Sequence, residues 1–166
     1  LVRMDPLTRR SLFHKVQAEF LRLMDRDGGL PVALDRMTAA ARLLDSTVDQ
    51  VAKEYAEKLV PAIERVWRDE IGELRRDLGI WLRKLAGERA WIPKFFEFSF
   101  GLSDEGRDPR SLADSVLVDG RFKLRGSVDV IEHRADLDVY RVTDHKTGKN
   151  RSNKDLVVGG GAVLQP

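Results

Sequence analysis

Residues 124–149 read LRGSVDVIEHRADLDVYRVTDHKTGK and contain two apolar segments separated by a polar turn. Apolar and polar residues alternate along both segments, which predicts a β-hairpin. Because successive side chains of a strand point to opposite faces, Asp144 and Lys146 share one face of the second strand and His145 points to the other. A hairpin of this length can bring Asp129, on the first strand, beside Asp144. The hairpin therefore predicts two carboxylates and an ammonium group close together.

Two neighbouring aspartates and a lysine indicate metal-dependent chemistry. Carboxylate oxygens suit Mg²⁺ or Mn²⁺, and an ion held by Asp129 and Asp144 could lower the pKa of a water and neutralise charge on a phosphate. Lys146 could orient or deprotonate the attacking water. An Asp-x-Lys tripeptide alone is expected about once by chance in so charged a chain, and it could be a surface ion pair. The hypothesis rests on the combination of Gly-x-x-Asp, a hairpin and an apolar strand that ends in Asp-x-Lys-Thr-Gly-Lys.

The residues before this hairpin predict further strands. The composition changes at Trp91, after which Ile92 and the phenylalanines of residues 95–100 favour a strand. We then predict a polar loop over residues 104–110 and a short strand over residues 115–118. A tight turn at residues 119–120 follows, and two longer strands are predicted over residues 122–132 and 139–146. A helical region over about residues 5–89 precedes this sheet region of about residues 91–148, which predicts one α+β or mixed α/β domain.

Amphipathic helices are predicted in the first half of the chain. Asp5-Pro6 is a helix start signal, and apolar residues follow it at helical spacing. Asp27-Gly28-Gly29 ends this segment, and Pro31 marks the restart of the chain. From about residue 32 to residue 88 the pattern remains helical and heavily charged. We expect Pro61 to begin a new helix there, because its missing N–H costs little in a first turn.

The composition excludes several classes of protein. The chain has 166 residues, 42% apolar and 34% charged, which is enough for the core of one domain. With 29 basic and 27 acidic residues its net charge is +2, which argues against a protein that binds nucleic acid by bulk charge. It contains no cysteine, which excludes disulfides and cysteine-ligated zinc or iron–sulfur sites. No apolar run approaches the roughly 18 residues that span a bilayer, so we expect a soluble cytoplasmic domain. From Leu1 and the apolar C-terminal segment we expect a piece of a longer protein.

The segments RGSVDVIE and YRVTDHKTGK resemble the second and third motifs of the RecB-like PD-(D/E)XK nucleases, a group that includes RecB and the AddA/AddB nuclease domains. In that family an upstream helix carries a histidine in the pattern Gly/Ser-x-x-x-His, with which we align residues 11–14. The resemblance implies a restriction-endonuclease-like core, with a mixed sheet and an antiparallel meander flanked by the His14 helix and a helical insertion. It assigns metal binding to His14, Asp129, Asp144 and the backbone carbonyl of His145, and catalysis to Asp129, Asp144 and Lys146.

The same resemblance implies further residues and partners. Glu97, in FFEFSFG, matches the glutamate-bearing strand before the second motif and receives a supporting role. Gln165 stands where a glutamine–tyrosine motif begins on a later helix, and the tyrosine and the rest of that helix are missing from the chain. The family implies Mg²⁺- or Mn²⁺-dependent hydrolysis of DNA, of exonuclease character, in repair or recombination, with a helicase domain or subunit as partner. Many relatives use four cysteines for an iron–sulfur cluster, and none is expected in this segment.

Basic residues are concentrated around the hairpin. Residues 121–154 contain nine bases and five acids, which suits a phosphate backbone, with Arg125 and Lys149 as substrate-binding candidates. Scattered surface charge is the alternative. No aromatic interleaving indicates base stacking, so DNA binding should be largely independent of sequence. We expect the rings of His133 and His145 to be packed or exposed. Two rival functions stay open: a catalytically inactive nuclease-fold module that binds DNA or braces a helicase, and a helical adaptor whose stability does not depend on metal.

Overall fold

A computed structural model describes residues 4–61, 63–102 and 107–145 of the chain. In this part three α-helices come first, and they are α1 (Pro6–Arg26), α2 (Met37–Leu59) and α3 (Glu64–Gly87), with a short 3-10 turn at Leu34–Arg36. Five strands follow in the described part, and they are β1 (Ile92–Phe100), β2 (Val116–Val118), β3 (Phe122–Leu124), β4 (Gly126–Arg134) and β5 (Val139–Thr143). Helices followed by antiparallel strands confirm the predicted fold class.

The ends of the helices follow from local chemistry. Asp5 caps α1, since its carboxylate accepts the Thr8 N–H at 2.9 Å and the helix then starts with proline. The prediction that Pro61 begins a helix is wrong by three residues. Ile63 is extended, with φ −133° and ψ 100°, so the first helical residue of α3 is Glu64. An acidic residue in the first turn is favoured there by the helix dipole.

Helix α1 is the element around which the core is assembled. It contacts α2 and α3 as well as β1 and β4. Its buried side chains therefore cover much of its circumference, and they are Leu12, Phe13, Val16, Gln17, Ala18, Phe20, Leu21 and Met24. Phe96 of β1 and Val130 of β4 belong to the same buried cluster as these residues. None of the described helices is long and apolar enough to cross a membrane.

The strands form one three-stranded sheet and a separate ribbon. The sheet has the order β1-β4-β5, with Phe96 opposite Val130 and Val130 opposite Thr143, and both ladders are antiparallel. A parallel bridge joins Phe100 to Leu112 beside it. Strands β2 and β3 pair only with each other in the described part. The predicted turn joins them, since Asp119 and Gly120 have φ of 52° and 65°, as a tight hairpin turn requires.

Two predicted strands have different limits in the structure. The strand predicted over residues 122–132 is two strands, β3 and β4, interrupted at Arg125. The meander therefore does not continue as one sheet, because β3 turns away with β2 while β4 runs between β1 and β5. Strand β5 ends at Thr143, so Asp144 and His145 directly follow it. Lys146, Lys149 and Gln165 lie outside the described residues.

Gly101 and Gly120 allow the packing of the ribbon against β1 to be tested. Both have positive φ, 66° and 65°, but a Cβ at Gly101 would lie 2.9 Å from the Arg125 Cβ, whereas nothing lies within 4 Å at Gly120. We expect Gly120→Ala to cost about 1 kcal/mol through the left-handed backbone alone. Gly101→Ala should cost about 1–3 kcal/mol more, because atoms must shift. Urea unfolding measures both, and equal losses would contradict the close approach.

Candidate metal centre

Three elements each bring one potential metal ligand to the same place. His14 comes from α1, Glu97 from β1 and Asp129 from β4. The His14 Nδ1 lies 2.8 Å from an Asp129 carboxylate oxygen and 4.0 Å from a Glu97 carboxylate oxygen. One ligand atom from each of the three residues lies within 4.8 Å of the other two. This spacing is suitable for one cation between them.

His14 lies at the junction of the helices and the sheet. Only 11% of its side chain is exposed. Burial opposes a positive charge on the ring, but the hydrogen bond to Asp129 and the charges of Asp129 and Glu97 outweigh it. The pKa of His14 therefore lies above its usual value of 6.5. Its Nε2 is buried and has no hydrogen-bond partner among the described residues.

Asp129 connects the cluster to the chain beyond β5. One carboxylate oxygen contacts His14, and the other accepts the backbone N–H of His145 at 2.7 Å. Burial would raise the pKa of Asp129, but these two hydrogen bonds and an interaction with Asp144 hold it below its usual value. Asp129 is therefore an ionised carboxylate with both oxygens oriented. The predicted juxtaposition of Asp129 and Asp144 is present in the structure.

Glu97 lies closer to the cluster than its predicted supporting role suggested. The register of β1 and β4 pairs Phe96 with Val130 and Phe98 with Val128, which puts Glu97 across from Asp129. Its φ is +56°, an uncommon value for a residue other than glycine. Burial raises the pKa of the Glu97 carboxyl, and the charge of Asp129 raises it further against the opposing charges of His14 and Arg107. Arg107 donates a hydrogen bond of 2.9 Å to it.

Asp144 and His145 point to different surroundings. The Asp144 carboxylate lies 3.7 Å from Arg10 Nη2 and is 42% exposed, so it is at the open side of the cluster. The His145 ring packs edge-on against Trp81, with 6.2 Å between ring centroids, and its burial lowers its pKa. Of the two surroundings expected from the sequence, packed or exposed, the His145 ring has the packed one. His133 is packed too, with its ring stacked on Tyr140 at 4.5 Å.

The end of the β4–β5 hairpin is held by a buried carboxylate. Glu132 is 4% exposed and accepts hydrogen bonds from Arg141 Nε at 2.7 Å and from the Thr143 hydroxyl at 2.6 Å. Arg141 also donates to Glu88, beyond the C-terminal end of α3. Since Asp144 follows Thr143 directly, this network sets where Asp144 leaves the sheet.

A groove lined by basic side chains lies beside the three ligands. It has a volume of about 470 Å³ and is bordered by His14 and Glu97. Its remaining lining is Leu7, Arg10, Ser11, Lys15, Ala18, Arg22 and Arg107. None of these four basic residues was singled out from the sequence, because only the fold brings α1 and residue 107 together. Arg125, which was singled out, is exposed between β3 and β4 and is not part of this lining.

Comparison with known families gives this geometry a context. The family model described as the PD-(D/E)XK nuclease superfamily matches residues 3–165. The chain belongs to the PD-(D/E)XK nuclease superfamily. No curated protein and no solved structure matches the chain. The assignment of the superfamily motif to Asp129 and to Asp144-His145-Lys146 stays a prediction, as does the RecB/AddB-like subtype.

One detail of the resemblance needs correction. Ser11 stands three residues before His14, not four, so the small residue of the Gly/Ser-x-x-x-His pattern corresponds to Arg10. Residues four apart on a helix lie on the same face. Arg10 and His14 accordingly both border the groove, and Arg10 reaches Asp144 where a small residue could not.

The side chains at this PD-(D/E)XK site fit a divalent cation. Two carboxylates and one imidazole provide oxygen and nitrogen ligands, and carboxylate oxygens are preferred by Mg²⁺ and Mn²⁺. The partial burial of all three reduces competition from water. Three protein ligands would leave positions open on an octahedral ion for water and for a phosphate oxygen.

Substitutions at Glu97 separate its backbone strain from its carboxylate. We expect Glu97→Gly to be more stable than Glu97→Ala by about 1 kcal/mol, because glycine adopts positive φ without steric cost. Both variants should be stabilised less by Mn²⁺ than the unmodified chain, since both lack one of the candidate ligands. Urea unfolding with and without MnCl₂ measures both effects. An alanine variant as stable as the glycine variant would contradict the left-handed backbone at this position.

Metal binding should depend on pH through His14. To ligate through Nδ1, His14 must lose the proton that its raised pKa favours, so apparent Mn²⁺ affinity should fall as pH drops below that pKa, by up to about tenfold per unit. Without metal, pH affects the stability of the fold with the opposite sign. The protonated His14 pair with Asp129 stabilises the fold fully below the unfolded pKa near 6.5, and this is lost as pH rises through the folded pKa. Mn²⁺ titrations from pH 5.5 to 8.5 measure how the apparent Mn²⁺ affinity depends on pH. His14→Gln should flatten the profile, and an unchanged slope would contradict ligation by His14.

Proposed function

We propose that this chain is a Mg²⁺- or Mn²⁺-dependent deoxyribonuclease that hydrolyses phosphodiester bonds. The observation that carries the proposal is the meeting of His14, Glu97 and Asp129, from three separate elements, beside a groove lined by basic side chains. Asp144 lies next to Asp129 at the open side. Membership of the PD-(D/E)XK nuclease superfamily supports the same activity.

Each residue has a proposed role in hydrolysis. The cation is bound by His14, Asp129, Asp144 and the backbone carbonyl of His145, and Glu97 is a further ligand. A bound Mg²⁺ or Mn²⁺ would lower the pKa of a water and neutralise charge on the phosphate. Lys146 orients the water and takes part in its deprotonation. The water oxygen attacks phosphorus, the bond to the leaving oxygen breaks, and that oxygen takes up a proton.

The groove supports DNA as the substrate. Arg10, Lys15, Arg22 and Arg107 present guanidinium and ammonium groups that bind phosphate oxygens whatever the base. The described lining contains no phenylalanine, tyrosine or tryptophan on which bases could stack. We therefore propose binding along the backbone, largely independent of sequence. Arg125 and Lys149 are proposed to extend the contact, and Gln165 to lie on the substrate side.

The biological setting is proposed from the resemblance of the motifs. RecB/AddB-like nucleases act as exonucleases in repair and recombination, attached to helicases, and we propose the same arrangement for a cytoplasmic protein that contains this chain.

A cleavage assay tests the activity. The full chain is incubated with labelled linear and circular single-stranded DNA and with linear duplex, in Mg²⁺, Mn²⁺ or chelator. We expect metal-dependent cleavage that falls by about 10³-fold in Asp129→Asn and His14→Ala, since a ligand loss removes several kcal/mol of charge stabilisation. Exonuclease action leaves the circular substrate intact.

A matched control is Asp136→Asn, which removes an exposed carboxylate paired with Arg134 in the β4–β5 turn. Its activity should be unchanged. Retained DNA binding without cleavage in any metal would refute the enzyme and favour the inactive nuclease-fold module. Neither binding nor cleavage, with no effect of Mn²⁺ on the melting temperature, would favour the helical adaptor.

A further inference from the structure

Strand β1 has left-handed backbone at the residue that reaches the metal centre. Glu97 has φ +56°, while Phe96 and Phe98 on either side pair with β4 in the ladder. The carbonyl of Glu97 accepts the backbone N–H of Asp108 at 3.1 Å. Left-handed backbone at a residue with a side chain persists only where its surroundings hold it, and such strain is concentrated at functional sites.

Asp108 provides the groups that hold this left-handed residue. Its carboxylate accepts the Phe96 N–H at 3.0 Å, and its own N–H binds the Glu97 carbonyl. One residue therefore binds both the N–H that precedes the Phe96–Glu97 peptide bond and the carbonyl that follows it. Asp108 is 3% exposed and lies twelve positions from Phe96 in the chain. Its contact with Phe96 is therefore a tertiary contact and not part of a local turn.

Arg110 keeps the Asp108 carboxylate in place. It donates from its backbone N–H and from Nε to one carboxylate oxygen, both at 2.9 Å, and from Nη2 to the other. It also donates to the Lys94 carbonyl, and its guanidinium lies 4.2 Å from the centre of the Phe95 ring. Burial alone would raise the pKa of Asp108, but these hydrogen bonds hold it below its usual value, so the carboxylate is charged when it binds β1. Residues 94–97 are therefore clamped from the side opposite to β4.

We propose that Asp108 is a positioning residue for the metal centre: it holds the left-handed backbone of Glu97, which places the Glu97 carboxylate close enough to His14 and Asp129 to share one cation with them. The inference rests on the proposed metal-binding role of this cluster. A return of Glu97 to extended φ would rotate its Cβ and move the carboxylate relative to the other two ligands. Asp108 touches neither substrate nor ion, and it acts through the backbone of Glu97.

The test is a double-mutant cycle on Mn²⁺ binding. Dissociation constants for MnCl₂ are measured by calorimetry on the full chain, for the unmodified protein, Asp108→Asn, Glu97→Ala and the double variant. We expect Asp108→Asn to weaken Mn²⁺ about tenfold, the lower end of the effect of removing an outer-shell partner of a ligand. In the Glu97→Ala background the same substitution should leave the constant unchanged, because Asp108 acts only through Glu97.

Two further variants separate positioning from general loss of stability. Leu44→Ala creates a cavity at a buried position of α2, away from β1, and should lower the melting temperature without changing the Mn²⁺ constant. Arg110→Gln removes the clamp on Asp108 while leaving its acceptors for Phe96, and should weaken Mn²⁺ by less than Asp108→Asn does. If Asp108→Asn does not fold, the Mn²⁺ constant of Arg110→Gln tests the proposal instead.

The outcomes are distinguishable. An unmodified chain that binds no Mn²⁺ overturns both the metal centre and this inference. Normal binding by the unmodified chain together with unchanged binding in Asp108→Asn and Arg110→Gln overturns the inference alone. A loss in Asp108→Asn that persists undiminished in the Glu97→Ala background, or that Leu44→Ala reproduces, assigns Asp108 a purely structural role and also overturns it.

Discussion

The packing of α1 against both the helices and the sheet is the constraint on which the rest of the structure depends. Its apolar side chains are buried against α2 and α3 and against Phe96 and Val130 of the sheet. A helix surrounded in this way cannot rotate or slide without opening the core. The rigidity extends to His14, one residue after the buried Phe13, and this fixes the imidazole over β1 and β4. The site is therefore a product of the core and not an addition to its surface.

The charges of the cluster are balanced against burial. Glu97 and Asp129 repel each other, and the pKa of Glu97 is raised partly for that reason. A proton on His14 offsets the repulsion, which is why the pKa of His14 rises although its ring is buried. A divalent cation would take over this neutralising role with two charges and without a proton. The left-handed backbone at Glu97 adds local strain. Such departures from the most stable arrangement are expected where a site is kept for function.

The sequence predicted the parts of the fold and of the site that local patterns specify. The alternation around Asp129 and Asp144 predicted their juxtaposition, and Asp119-Gly120 predicted the turn of the ribbon. The interruption at Arg125 was not predicted, because alternating apolar residues stand on both sides of it and only the tertiary structure separates β3 from β4. Glu97 was recognised by its place in an aromatic strand, but its φ was not, since it depends on a tertiary contact with Asp108. Arg10 was missed because its partner Asp144 is 134 positions away in the chain (144 minus 10), where no helical or strand periodicity applies.

The net charge of the chain is near neutral although its groove is lined by basic side chains. The two facts are compatible because these side chains have acidic partners. Arg10 lies against Asp144, Arg107 against Glu97 and Arg22 against Glu19, so these three cations beside the site each lie next to a carboxylate. On the proposed function, a divalent cation would bring positive charge to Asp144 and Glu97 and so weaken the hold of these carboxylates on Arg10 and Arg107. Phosphate oxygens bind guanidinium groups in the same bidentate manner as carboxylates, so they could compete for the same donors. Metal binding and DNA binding would in this way be coupled through shared partners, and the groove would be most attractive to DNA when the site holds its ion.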